Sequence, residues 1–296
     1  MIETQNLTKR FGRQLAVDDV SFTCVPGTVT GFLGPNGAGK STTMRLICGL
    51  ANASGGSATV LDENYRRIAN PPLHVGVMLD ASAQHSGRTG RETLRLCART
   101  IGVDPGKAGE MLERVGLDPS AAKKRVGKYS LGMRQRLGLA LVLMGDPQVL
   151  ILDEPANGLD PQGIIWMREL LRDFAERGGT VLLSSHLLHE VDAIADQLVL
   201  INRGKVVAQG SKAELLVSSG TLVRSPDNAR LQQALSSAQI EFSESAGALI
   251  ASDDPEAVGA AAHAGGVQLS ELSAAEGAGL EGLFLSLTSD DPEGSE

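Results

Sequence analysis
The sequence predicts an α/β fold with a mostly parallel sheet covered on both faces, followed by a small second α/β domain. Three observations carry this. Short, continuously apolar runs at residues 29–33, 75–79, 149–152 and 180–183 alternate with segments of helical spacing. Parallel strands need helical crossovers that bury both faces, so they read as unbroken apolar runs. After about Gly220 the composition shifts, and the elements follow the order βαββαβ.

Taken in order, Val29-Thr30-Gly31-Phe32-Leu33 is a buried strand, followed by a glycine-rich loop, and residues 40–50 read as a helix. A strand at 75–79 is followed by several short helices over 89–120, broken by Gly and Pro. Residues 131–144 form a largely buried helix, and 149–152 a core strand. Pro161 opens a helix running to about Arg177, which Gly178-Gly179 end. Residues 180–185 are a strand and 187–195 a helix. Residues 196–202 and 205–209 form a hairpin about Arg203-Gly204.

Beyond Gly220, strands are expected at 221–224, 240–244, 248–251 and 267–272, with helices at 227–238 and 255–264. The middle pair reads as a hairpin about Gly247. This order is the ferredoxin-like pattern. An amphipathic helix at 279–287 and a disordered acidic tail at 289–296 close the chain. The expected domains are therefore 1–219, with a helical insert at about 82–145, and 220–288.

The 296 residues suffice for a large core, and the net charge of −8 argues against a nucleic-acid partner. Cys24, Cys48 and Cys97 have neither zinc-site nor redox-pair spacing, so reduced thiols and a cytosolic address fit. Met1-Ile2-Glu3-Thr4-Gln5 does not read as a signal peptide, and the apolar run 137–144 is too short to span a bilayer. A membrane role needs another chain.

Gly34-Pro35-Asn36-Gly37-Ala38-Gly39-Lys40-Ser41 matches G-x-x-x-x-G-K-[ST] in full, between a strand and a helix. Glycines let backbone N–H groups curl around phosphate oxygens, and the helix points its positive end at the anion. Lys40 reaches the β- and γ-phosphates, Ser41 ligates Mg²⁺, and Thr42 completes the nucleotide-binding set. The strand Val149-Leu150-Ile151-Leu152 ends in Asp153-Glu154. Two acids at the end of a buried strand are costly unless a cation meets them. Asp153 takes Mg²⁺, directly or through water, and Glu154 polarises the attacking water.

These two motifs define a P-loop nucleotidase. Tyr129-Ser130-Leu131-Gly132-Met133, a little over twenty residues before Asp153, resembles the LSGGQ signature of ABC ATPases. Ser130 and Gly132 match the serine and second glycine, while Met133 replaces the glutamine. Asn157-Gly158-Leu159-Asp160 resembles the family's D-loop, His186 its switch histidine, and Phe11 the aromatic that stacks on adenine. Where the family's glutamine ends the strand at 75–79, this chain has Asp80, with Gln84 as the alternative four residues on. The resemblance covers residues 1 to about 216 and implies an ABC cassette with antiparallel and helical subdomains.

It further implies Mg-ATP hydrolysis at the cytoplasmic face of a membrane. The signature acts in trans, so a second cassette is needed, a homodimer being expected, together with a separate transmembrane permease docked on the insert. The stretch from His85 to Glu92 and the variant signature are similar to daunorubicin- and bacitracin-type exporter cassettes. An importer subunit is the alternative, and a soluble ABC ATPase a further one.

Overall fold
The computed structural model describes every residue except 82, 187, 217–219, 246–247, 275–279, 281–283 and 285–296. The turn at Gly247 and the segments expected at 279–287 and 289–296 fall wholly or largely outside the described residues. The chain divides into two compact units, Met1–Gln209 and Gly210–Glu296.

The first unit opens with the long strands β1 (Ile2–Phe11) and β2 (Gln14–Cys24), joined by a tight turn with Gly12 at φ 56. With β4 (Gly55–Val60) they form an antiparallel sheet in the order β2-β1-β4. The second sheet is built on β3 (Val29–Leu33), which runs parallel to both β7 (Thr180–Ser185) and β8 (Gln197–Asn202). Outside these lie β6 (Val149–Asp153), β5 (Val75–Met78) and, beyond β8, β9 (Lys205–Ser211), giving the order β5-β6-β7-β3-β8-β9.

Strands β3 and β7 are buried at every residue, as unbroken apolar runs require. Phe22 of the first sheet and Phe32 of the second stack 5.3 Å apart inside one core that also holds Ile2, Met44 and Ile151. Each such side chain contributes about 1.5–3 kcal/mol on burial.

Helix α1 (Lys40–Ile47) follows β3 directly and stops three residues short of the expected end, because Gly49 turns the chain at φ 64. The insert consists of α2 (Gly90–Ile101), α3 (Ala108–Arg114), α4 (Pro119–Lys123) and the buried α5 (Leu131–Leu143). A capping box of Thr89 and Glu92 starts α2. Pro161 opens α6 (Pro161–Glu176), and α7 (Leu188–Asp192) follows β7. The β8–β9 turn has φ 48 at Arg203 and 83 at Gly204, the left-handed pair that a two-residue hairpin prefers.

In the second unit, after α8 (Lys212–Leu216), β10 (Thr221–Arg224), β11 (Phe242–Ser245), β12 (Ala248–Ala251) and β13 (Glu271–Ala274) form a small antiparallel sheet. Their order is β11-β12-β10-β13. Helices α9 (Asn228–Ser237) and α10 (Pro255–Ala264) contribute Leu231, Leu235 and Val258 to one core with Val223 and Leu249. The last strand starts four residues later than expected. Val267 and Leu269 are apolar because they pack on that core as loop residues, and they take no part in the sheet.

Candidate functional site
The parallel sheet brings the ends of β3, β6 and β7 to one edge. Gly34 to Gly39 fill the turn between β3 and α1, with Gly37 at φ 83 and Gly39 at φ 109. A Cβ on Gly34 would strike the Ile201 carbonyl, and one on Gly39 would lie 2.6 Å from that of Ala16. The loop is therefore packed as well as bent. The Gly204 N–H donates to the Ala38 carbonyl at 2.9 Å, so the β8–β9 turn supports the loop from below.

Lys40 is only 7% exposed, and its Nζ donates to the carbonyls of Gly34 at 2.6 Å and Pro35 at 3.2 Å. Burial holds the ammonium below its ordinary pKa, while the Glu154 and Asp153 carboxylates pull it back up.

A cavity of about 490 Å³ opens over the loop. Asn36, Gly37, Gly39, Lys40, Ser41 and Thr42 line one side, Asp153 and Glu154 another, and Phe11 a third. Gly34, Pro35 and Ala38 stay behind the lining as scaffold. Phe11 ends β1, is 52% exposed, and carries the Lys9 ammonium 4.7 Å from its ring centre. A flat aromatic face at the rim suits a nucleobase.

Around Asp153 and Glu154 the contacts are dense. The fully buried Ser184 hydroxyl donates to Asp153 Oδ1 and accepts from the Glu154 N–H at 3.1 Å. Glu154 itself has φ 52, a left-handed conformation that costs a non-glycine residue about 1–3 kcal/mol. Its Oε2 lies 2.7 Å from His186 Nδ1. A carboxylate only accepts, so Nδ1 carries the proton. Gln135, from α5, donates Nε2–H to the Glu154 carbonyl at 2.9 Å. Sequence reasoning named neither Ser184 nor Gln135.

Other expected residues lie apart. Ser130 caps α5, accepting from the Met133 N–H at 3.2 Å, and is exposed to solvent. Gly132 backs onto the D-loop: a Cβ there would lie 2.8 Å from the Gly158 carbonyl. Asp160 caps α6 through the Gly163 N–H at 2.9 Å. None of Ser130, Gly132, Met133 and Asp160 lines the cavity. Leu79 reaches the lining, whereas Asp80 and Gln84 do not. Asp80 is exposed, and the Gln84 amide approaches Gly138 of α5.

A family model described as ABC transporter matches residues 17–157. The bacitracin transport ATP-binding protein BcrA of Bacillus licheniformis is 42% identical over 212 residues, covering 71% of this chain and 69% of that one. The chain belongs to the ABC transporter ATP-binding proteins. The family implies nucleotide binding, and the cavity over the glycine-rich loop is the candidate site for it. The lantibiotic transport ATP-binding protein SrtF of Streptococcus pyogenes is 35% identical, covering 71% of this cassette chain and 90% of that one. The Nod factor export ATP-binding protein I of Burkholderia lata is 37% identical, covering 79% and 80%.

A solved ATP-binding subunit of an ABC transporter superposes with a TM-score of 0.66 at 26% identity, covering 73% of this chain and 91% of that one. The cassette MJ0796, solved as a dimer bound to ADP and Pi, gives 0.66 at 21% identity over 71% and 98%, which shows the shared fold. Residues 219–281 match a domain of unknown function, DUF8746. Among the described residues, no helix is long and apolar enough to cross a membrane.

The site's chemistry fits a nucleotide-borne Mg²⁺. Ser41 and Asp153 bring a hydroxyl and a carboxylate to the same cavity, and Mg²⁺ favours such hard oxygen ligands. Among the described residues no three His, Cys, Asp or Glu side chains converge as a metal cage, so the phosphates would supply further ligands.

Proposed function
We propose that this cassette works as one of a homodimeric pair that drives export, through a separate permease, of an antibiotic, peptide or lipid-like substrate. One observation carries the pairing. The cavity is lined by Asn36, Gly37, Gly39, Lys40, Ser41 and Thr42 of the loop with Asp153 and Glu154, yet by no signature residue, while Ser130 stands exposed at the start of α5. Such a signature serves a nucleotide held by another chain. The name of the Nod factor export relative supports export over import, and those of the bacitracin and lantibiotic transport relatives support a peptide-like substrate. The chain would sit at the cytoplasmic face, held there by its permease.

In this reading Phe11 stacks on the base, and Lys40 with the loop N–H groups of Asn36 to Thr42 holds the phosphates. Ser41 and Asp153 hold Mg²⁺, which would neutralise phosphate charge when bound. Glu154 accepts a proton from the attacking water, and His186 orients the Glu154 carboxylate through the 2.7 Å contact. Contact between His186 and a γ-phosphate then falls to its other ring nitrogen. Asp80, outside the cavity lining, would relay nucleotide state towards the permease. The second unit, whose strand order and connections match a ferredoxin-like fold, would aid assembly.

The test is to purify the chain with a co-expressed polytopic permease and reconstitute the complex in vesicles. Cyclic or lantibiotic peptides should raise its ATP hydrolysis and be transported away from the cassette side. Transport towards that side, or stable hydrolysis by a monomer, would end this reading.

A further inference from the structure
Gln135 is a buried amide in search of a reason. It is 4% exposed on helix α5, and its Oε1 is buried with no hydrogen-bond partner. Leaving such a carbonyl unpaired is costly, and an apolar residue of the same shape would avoid the cost. What it does make is one bond, Nε2–H to the Glu154 carbonyl at 2.9 Å. A carbonyl only accepts, so the amide nitrogen must face it, and the oxygen is left buried without a partner.

That carbonyl belongs to the residue at φ 52. Its peptide is held on the β7 side by the Ser184 carbonyl and hydroxyl, at 3.2 and 3.1 Å, both accepting from the Glu154 N–H. On the other side the Glu154 carbonyl accepts from Gln135 and from the Asn157 N–H at 3.2 Å. Gln135 is thus the side-chain link between the Glu154 turn and α5.

The signature lies at the start of the same helix. Ser130 caps the helix, and Gln135 follows five residues later, about 7 Å along a rigid rod at about 1.5 Å per residue. Gly132, between them, lies against the Gly158 carbonyl so closely that a Cβ would sit 2.8 Å away. A shift of the signature turn is therefore transmitted to the Glu154 turn.

We propose that Gln135 is a positioning residue: it fixes the Glu154 backbone to α5, so that engagement of Ser130 by the other cassette's nucleotide sets Glu154 in this chain's own site. This rests on the reading above that Ser130 acts in trans and that Glu154 accepts the water proton. The link makes hydrolysis at one site depend on occupancy of the other.

The experiment uses the full chain with Mg-ATP and three variants: Gln135→Met, Ser130→Ala and the double. Methionine keeps the length and removes both the donor and the orphaned oxygen, so the fold should melt at or above the wild-type temperature. Turnover should fall about tenfold or more, with KM changed less than about threefold, as misplacement of a reacting group by a fraction of an ångström does. The double variant should be no slower than the slower single, because both act through one route.

Wild-type turnover in Gln135→Met, or turnover and melting temperature falling together, would overturn the positioning role. Multiplicative losses in the double variant would overturn the link between sites. Glu154→Gln in parallel separates this from the base assignment. If that variant hydrolyses normally the base reading has failed, and if it is inactive while Gln135→Met is normal the positioning role has failed.

Discussion
The two units use the same parts and end with opposite chemical capacities. In the first, the parallel pairing of β3, β6 and β7 sends these three strands towards the same edge. Phosphate loop, paired carboxylates and His186 all follow strand ends there. In the second, β10 and β11 run against β12 and β13, so the four strand ends divide between two edges. Charge follows the same division: residues 1–209 hold 24 Lys and Arg against 21 Asp and Glu, while residues 210–296 hold 3 against 14. The second unit's net negative charge therefore disfavours a phosphate ligand. Strand direction, more than helix content, decides where an anion site can be built.

The comparison is sharpest at Glu154. Replacing it with Gln keeps shape and removes the proposed base, so turnover should fall about 10²–10⁴-fold with ATP still bound. A purified Glu154→Gln chain that hydrolyses at the wild-type rate would remove the first unit's claim to the chemistry. In the second unit, Leu231 is fully buried. Leu231→Ala should cost that unit about 2–5 kcal/mol in a denaturant melt while leaving nucleotide affinity unchanged. A parallel loss of ATP binding by calorimetry would show that the two units are not energetically separate.

Asp80 offers a smaller effect. It is exposed and outside the cavity lining, so Asp80→Gln should leave ATP affinity within a few-fold. What should change is the stimulation of hydrolysis by substrate in the reconstituted complex. Complete loss of Mg-ATP binding would instead put Asp80 on the metal. The smallest effect belongs to the α2 cap. The Thr89 backbone N–H, then its hydroxyl, hold the Glu92 carboxyl below its usual range. A depressed folded-state pKa gives stability above the unfolded value that is lost as pH falls through the folded one. Protection of the amides at the start of α2, measured relative to their intrinsic exchange, should fall on acidification, and Glu92→Gln should flatten that response.

What was legible in the sequence follows from how local each feature is. The phosphate loop and the Asp153-Glu154 pair are contiguous, because phosphate and metal need adjacent groups, so their spacing survives in one dimension. Ser184 and Gln135 reach Glu154 across 30 and 19 positions, and nothing in their own neighbourhoods marks them. Strands β1, β2 and β4 were not read individually. Register shifts between Thr4 and Leu7, and again before Arg10, break the period-two pattern by which strands are recognised. At β13 the apolar signal came from loop residues packing on a core, which resembles strand burial in composition alone.

The phosphate loop, finally, cannot be moved as a cassette of eight letters. Its curve is fixed by the Ile201 and Ala16 carbonyls and by the Gly204 N–H, groups from β8, from β2 and from the β8–β9 turn, two of them over 160 residues away. Grafting Gly34 to Ser41 onto another strand–helix junction would transfer the glycines without the mould that shapes them. Recombination that preserves the motif but exchanges the β8–β9 hairpin would yield a chain that still carries the signature of a nucleotide site and no longer grips a nucleotide.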